Sequence, residues 1–111
     1  MKATIQAKIN NRKRVPLQEV IPLKYPFSIQ IDIADACNML CNFCFHSDLD
    51  AIKEAQVKFG LMKYEVFQKI IDDIAKCWGR EKEIKKLRLF ALGEPLLNKD
   101  LIKMISYAKK S

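Results

Sequence analysis

Hydrophobic and polar residues alternate strictly along Phe27-Ser28-Ile29-Gln30-Ile31-Asp32-Ile33. A period of two is that of a β-strand with one buried face. The period then changes. Phe67, Ile70, Ile71, Ile74 and Trp78 recur at spacings of three and four, which predicts an amphipathic helix over residues 63–78. Cys77 stands seven residues after Ile70 and is expected on the apolar stripe as a small buried hydrophobe. Gly79 is placed to stop the helix. After a charged stretch, Leu87 to Leu92 is a short apolar run. It predicts a second, buried strand, ended by Gly93 and Pro95. Asn98 is placed to cap a final helix, with Asp100 in its first turn and Lys109 and Lys110 in its last. Residues 45–60 are mixed in character and predict a loop with a helical turn or two. Near the N-terminus, Ala3, Ile5, Ala7 and Ile9 alternate weakly, which allows a short strand. Pro16, Pro22 and Pro26 punctuate residues 15–26. Proline fixes φ and lacks an N–H, so that segment predicts an extended arm.

Strand, helix, strand, helix is the order of an α/β fold with a parallel sheet and right-handed crossovers. In such folds, sites gather at the carboxyl ends of the strands. Two unusual segments directly follow the predicted strands: a cysteine-rich loop and Gly93-Glu94-Pro95. The two are therefore expected side by side on one face.

The chain has 111 residues, half of them hydrophobic and three of them glycine. That is a globular composition, enough for one domain or part of one. The net charge is +7, and it is uneven. In residues 1–24, six basic residues stand against Glu19 alone. We take 1–24 as a basic, proline-punctuated arm and 25–111 as the core. No aromatic residues interleave with Arg12-Lys13-Arg14, which argues against a nucleic-acid partner. No apolar run approaches the roughly 20 residues of a membrane span, and no apolar stretch follows the first basic residues as in a secretory signal. A cytoplasmic location is expected. Thiols stay reduced there, so four cysteines suggest metal or catalysis more than disulfides.

Three of those cysteines form Cys37-Asn38-Met39-Leu40-Cys41-Asn42-Phe43-Cys44, a C-x3-C-x2-C pattern. Such spacing lets one loop wrap one metal centre, and thiolates suit zinc or iron–sulfur. A structural zinc site normally takes four protein ligands. Three thiolates on a cubane leave one iron open to another ligand, which points to chemistry at the metal. His46 is an alternative fourth ligand for zinc, although Cys44-Phe45-His46 is tighter than common zinc spacings. Cys77 is an alternative fourth ligand for a cluster. His46, Asp48 and Asp50 either line the mouth of a site or are solvated loop residues. Glu94 either touches a cofactor or binds backbone N–H groups at its own turn.

The pattern C-x3-C-x-aromatic-C after a strand resembles the signature of the radical S-adenosylmethionine (radical SAM) superfamily. Cys37, Cys41 and Cys44 match its cluster ligands, and Phe43 matches its aromatic position. Leu92-Gly93-Glu94-Pro95 is similar to the family's Gly-Gly-Glu-Pro segment, with Leu92 in place of the first glycine. Val20-Ile21-Pro22-Leu23 with Pro26-Phe27 resembles the lead-in of members that often carry a C-terminal SPASM domain. The matches run from about residue 15 to residue 105. The resemblance implies an enzyme of oxidoreductase or transferase type. In it a [4Fe–4S] cluster on the three cysteines binds S-adenosylmethionine at its open iron. Reductive cleavage then yields a 5′-deoxyadenosyl radical, which abstracts hydrogen from a substrate that the sequence does not name. The resemblance further implies Phe43 near the adenine, Gly93, Glu94 and Pro95 near the methionine amino group, and an electron donor such as flavodoxin or ferredoxin. The alternatives are an iron–sulfur electron carrier or cluster-binding module, and a zinc-binding interaction module.

The fold that the resemblance implies is the N-terminal βαβα portion of a partial (β/α)6 TIM-like barrel, of which the chain supplies two units. The expectation is a truncated product, a fragment, or a piece that needs a partner. A two-stranded parallel sheet has two open edges, and the apolar face beside them is a surface for association. The isolated chain is expected to self-associate. Size-exclusion chromatography across a range of concentrations checks this, and a sharp monomeric peak at high concentration would count against it.

Overall fold

Among the described residues, one pair of parallel strands carries the fold. The computed structural model describes residues 16–78, 84 and 86–111. The expected strand at residues 3–9 and the helix stop at Gly79 lie outside the described residues. Strand β1 (Ser28–Gln30) pairs with β2 (Lys86–Arg88), in the register Ser28 to Lys86, Ile29 to Leu87 and Gln30 to Arg88. Parallel neighbours need a long crossover. Here it contains helices α1 (Leu49–Glu54) and α2 (Tyr64–Trp78), and α3 (Leu101–Lys110) follows β2. Single 3-10 turns lie at Leu17–Glu19, Phe45–Ser47 and Pro95–Leu97. Among the described residues of the proline-punctuated arm, 16–24, there is no other helix, in keeping with Pro16 and Pro22.

Both strands are shorter than the apolar patterns that announced them. The N–H of Ile31 still donates to Arg88 O at 2.8 Å. Ala34 then leaves the ladder and pairs with Leu61 in an isolated antiparallel bridge. The two-residue period nevertheless persists in burial: Ile31 and Ile33 are buried, and Ile29 is half-buried. Phe27, by contrast, is exposed. The run Leu87 to Leu92 is not a wholly buried strand. Leu87 and Leu89 turn inward, whereas Phe90 and Leu92 face solvent, because the segment has a covered face on one side only.

The core lies between the sheet and two helices. Ile31, Ile33, Phe67, Ile71 and Met104 are buried together, with Leu87, Leu89, Leu101 and Tyr107 packed around them. Helix α2 buries Phe67 and Ile71 and half-buries Ile70, Ile74 and Trp78, the stripe expected of it. Cys77 is exposed, not buried. At roughly 100° per residue, it falls beyond Ile70, itself the margin of the stripe. Helices α2 and α3 are joined by an edge-on contact of Tyr64 with Tyr107 and by a 2.7 Å bond from Tyr107 Oη to Asp72 Oδ1. No helix among the described residues is long and apolar enough to cross a membrane.

Asn98 is not the helix cap that its position suggested. It is 4% exposed, and its Nδ2 donates to Ile33 O and Met62 O, both at 3.0 Å. Its Oδ1 accepts from Asp100 N. The N-cap is Asp100, whose carboxylate makes no capping bond and pairs with Lys103 at 3.2 Å. Lys109 and Lys110 occupy the last turn, as expected.

Phe67→Ala is expected to lower the unfolding free energy by about 3–5 kcal/mol, the usual range for emptying a buried phenylalanine site. Val66→Ala, on the exposed side of the same helix, should change it by less than about 0.5 kcal/mol. Urea unfolding of both variants checks this, and equal losses would contradict the assigned core.

Candidate functional site

The chain leaving β1 and the chain leaving β2 meet backbone to backbone. A Cβ on Gly93 would lie 2.5 Å from Ala36 O and 2.7 Å from the carbonyl carbon of Asp35, and closer still to Ala34 O. Backbone atoms cannot retreat as a side-chain end can, so only glycine fits this position. The N–H of Glu94 donates to Ala36 O at 3.0 Å. The Gly-Glu segment therefore sits on the three residues that lead directly into Cys37. This is the side-by-side arrangement expected from the strand order.

Two side chains hold the preceding residue. Leu92 N donates to Asp32 Oδ2 at 3.0 Å, and Leu92 O lies 2.8 Å from His46 Nε2. A carbonyl only accepts, so Nε2 carries the proton. His46 is 5% exposed and stacks beside Phe45 and Phe59, with ring centroids 4.2 and 4.8 Å away. It is thus neither a solvated loop residue nor a mouth residue. Asp48 accepts from Ala51 N and caps α1, while Asp50 lies exposed in the first turn of that helix. Glu94 Oε1 accepts from Leu96 N at 3.0 Å, which caps the turn Pro95–Leu97. Its carboxylate takes the local role. Pro95 stands first in that turn, where its missing N–H has no cost.

The three clustered cysteines are free and half-buried. Cys37 Sγ accepts from Met39 N at 3.4 Å. Cys44 N donates to Cys41 O at 2.9 Å, and Cys44 O accepts from Ser47 N and from Ser47 Oγ. One loop therefore presents all three thiols. Among the described residues, however, no three His, Cys, Asp or Glu side chains gather closely enough to hold one metal ion. The Nε2 of His46 is engaged by Leu92 O, so that nitrogen is not open to zinc. Phe43 is 95% exposed, a bare aromatic ring between the second and third cysteines.

The sequence reading missed Asp32 and the true partner of His46. Asp32 stood out only as the polar member of an alternating strand. Its Oδ1 is buried without a hydrogen-bond partner among the described residues. Nothing in the spacing of residues 32, 46 and 92 announces that they meet.

No family model matches the chain, and no solved structure matches it significantly. The chain is 37% identical over 83 residues to an S-adenosylmethionine-dependent nucleotide dehydratase of Lacinutrix mariniflava. The match takes in 75% of this chain but 16% of that protein. The chain thus spans a small part of the length of the curated relative it matches. Over that part it is related to an S-adenosylmethionine-dependent enzyme.

Gly93→Ala is expected to destabilise the fold by about 1–3 kcal/mol, the usual cost of forcing a methyl group into filled space. Gly60→Ala meets open space and should be neutral or slightly stabilising. Thermal unfolding of the two variants checks this, and an unchanged Gly93→Ala would contradict the close approach.

Proposed function

We propose that this chain is the cofactor-binding front of a radical S-adenosylmethionine enzyme. Cys37, Cys41 and Cys44 would hold a [4Fe–4S] cluster, and Phe43, Gly93, Glu94 and Pro95 would contact S-adenosylmethionine. The observation that carries this reading is the seat of Gly93 on the backbone before Cys37. A cofactor held by both the cysteine loop and the Gly-Glu-Pro segment would require the two side by side, as Gly93 and Glu94 lie against residues 34–36. When bound, the cluster and S-adenosylmethionine supply the reductive sulfonium cleavage and hydrogen abstraction that side chains have no means to perform.

The donor set fits the group. Three free thiols within eight residues of one loop are the soft ligands that such a cluster takes. The acceptors along the segment are distinct. Leu92 O is bonded to His46, Glu94 O accepts from Leu97 N, and Pro95 O accepts from Asn98 N. Gly93 O is left without a partner among the described residues. It is the acceptor we assign to the methionine ammonium. The carboxylate of Glu94 serves its own turn, so Glu94 and Pro95 act by shaping the segment. The exposed ring of Phe43 is free to cover the adenine.

On this reading the βαβα unit belongs to a partial (β/α)6 barrel of the cytoplasm, served by a flavodoxin- or ferredoxin-like donor. The proline-bearing lead-in supports the SPASM-associated subgroup. The substrate class that the relative's name supports is a nucleotide.

Anaerobic iron–sulfur reconstitution, followed by EPR of the reduced chain with and without S-adenosylmethionine, tests the proposal. The expected result is a [4Fe–4S] signal that changes when the cofactor is added and that is lost on replacing any of Cys37, Cys41 or Cys44 with alanine. Tight zinc binding with no iron uptake would overturn it. A cluster indifferent to the cofactor would favour an electron carrier instead.

A further inference from the structure

Resting on that reading, we propose that His46 and Asp32 are positioning residues: together they clamp the backbone of Leu92 and so aim the Gly93 carbonyl at the cofactor's amino group. The side chain of Leu92 is 57% exposed, yet both of its backbone polar groups are held by side chains. One comes from just beyond β1 and the other from the turn that follows Cys44. Water would satisfy an exposed loop backbone at no cost in order. Two side chains 60 and 46 residues away in sequence instead fix its direction. The next carbonyl along the chain is the free one.

The clamp is stiff because of what surrounds it. His46 is wedged beside Phe45 and Phe59, so its donor points one way. It stands two residues after Cys44, which ties the loop of the thiols directly to the segment beyond β2. Asp32 spends Oδ2 on Leu92 and leaves Oδ1 buried with no partner among the described residues. The bond that Asp32 makes ties the chain leaving β1 to the segment beyond β2, which is what a positioning residue does. The clamp also explains why leucine serves where the resemblance expects glycine. Among described non-glycine residues only Gln56 has positive φ, so position 92 makes no demand for a left-handed backbone.

The test uses the full chain, with iron content and cofactor response read separately. His46→Phe keeps an aromatic ring between its neighbours and removes the donor; His46→Gln keeps an N–H. Asp32→Ala removes the acceptor, and Asp32→Asn keeps one. His46→Phe and Asp32→Ala are expected to load iron as the parent does. They should require ~10-fold more S-adenosylmethionine for the half-maximal EPR change, the scale typical of supporting partners at metal sites. His46→Gln and Asp32→Asn should recover most of the affinity. Parental affinity in His46→Phe would overturn the proposal and leave the radical SAM reading intact. Loss of iron in His46→Phe would also overturn it, by making the histidine a support of the cluster itself. A parent whose cluster ignores the cofactor would overturn both.

Discussion

Two stretches of backbone come closer at Gly93 than any side chain allows, and the arrangement of the site depends on that contact. It fixes the segment after β2 against residues 34–36, one step before the first cysteine. The hydrogen bond from Glu94 to Ala36 and the clamp on Leu92 then define how the segment lies. With a side chain at 93 the strands would still pair, but the cysteine loop and the Gly-Glu-Pro turn would be held apart.

A second junction supports the first from below. The buried amide of Asn98 bonds Ile33 O, at the end of the β1 segment, and Met62 O, before α2. Three parts of the chain thus share one side chain. Ile33 O also accepts from Met62 N, so the end of the β1 segment is held both by main chain and by an amide from beyond β2. Neutral hydrogen bonds of this kind contribute about 0.5–1.5 kcal/mol each when made, and leave costly buried carbonyls when removed.

Much of this was legible in the sequence. Alternation over 27–33 and the three–four spacing from Phe67 located β1 and α2, because both patterns report which face of an element is buried. The order of elements placed the cysteine loop beside Gly93-Glu94-Pro95. Long-range side-chain bonds were not legible. A histidine two residues after a cysteine reads as a ligand, and an asparagine before a helix reads as a cap. The competing partners, Leu92 O for His46 and Ile33 O and Met62 O for Asn98, are main-chain atoms, and main-chain atoms leave no mark on composition or spacing. Cys77 failed for a simpler reason: seven residues from a marginal member of a stripe is outside the stripe.

The clamp on Leu92 acts through atoms that every residue but one possesses. Its side chain faces solvent, and its backbone supplies the N–H and the carbonyl. Exchange of side chains at 92 is therefore close to silent, and a scan of such exchanges would score the position as free. Proline is the exception, since it has no N–H to give Asp32. The position's specification lies in the peptide unit and not in the residue, so what looks like tolerance there conceals a strict requirement with a single forbidden letter.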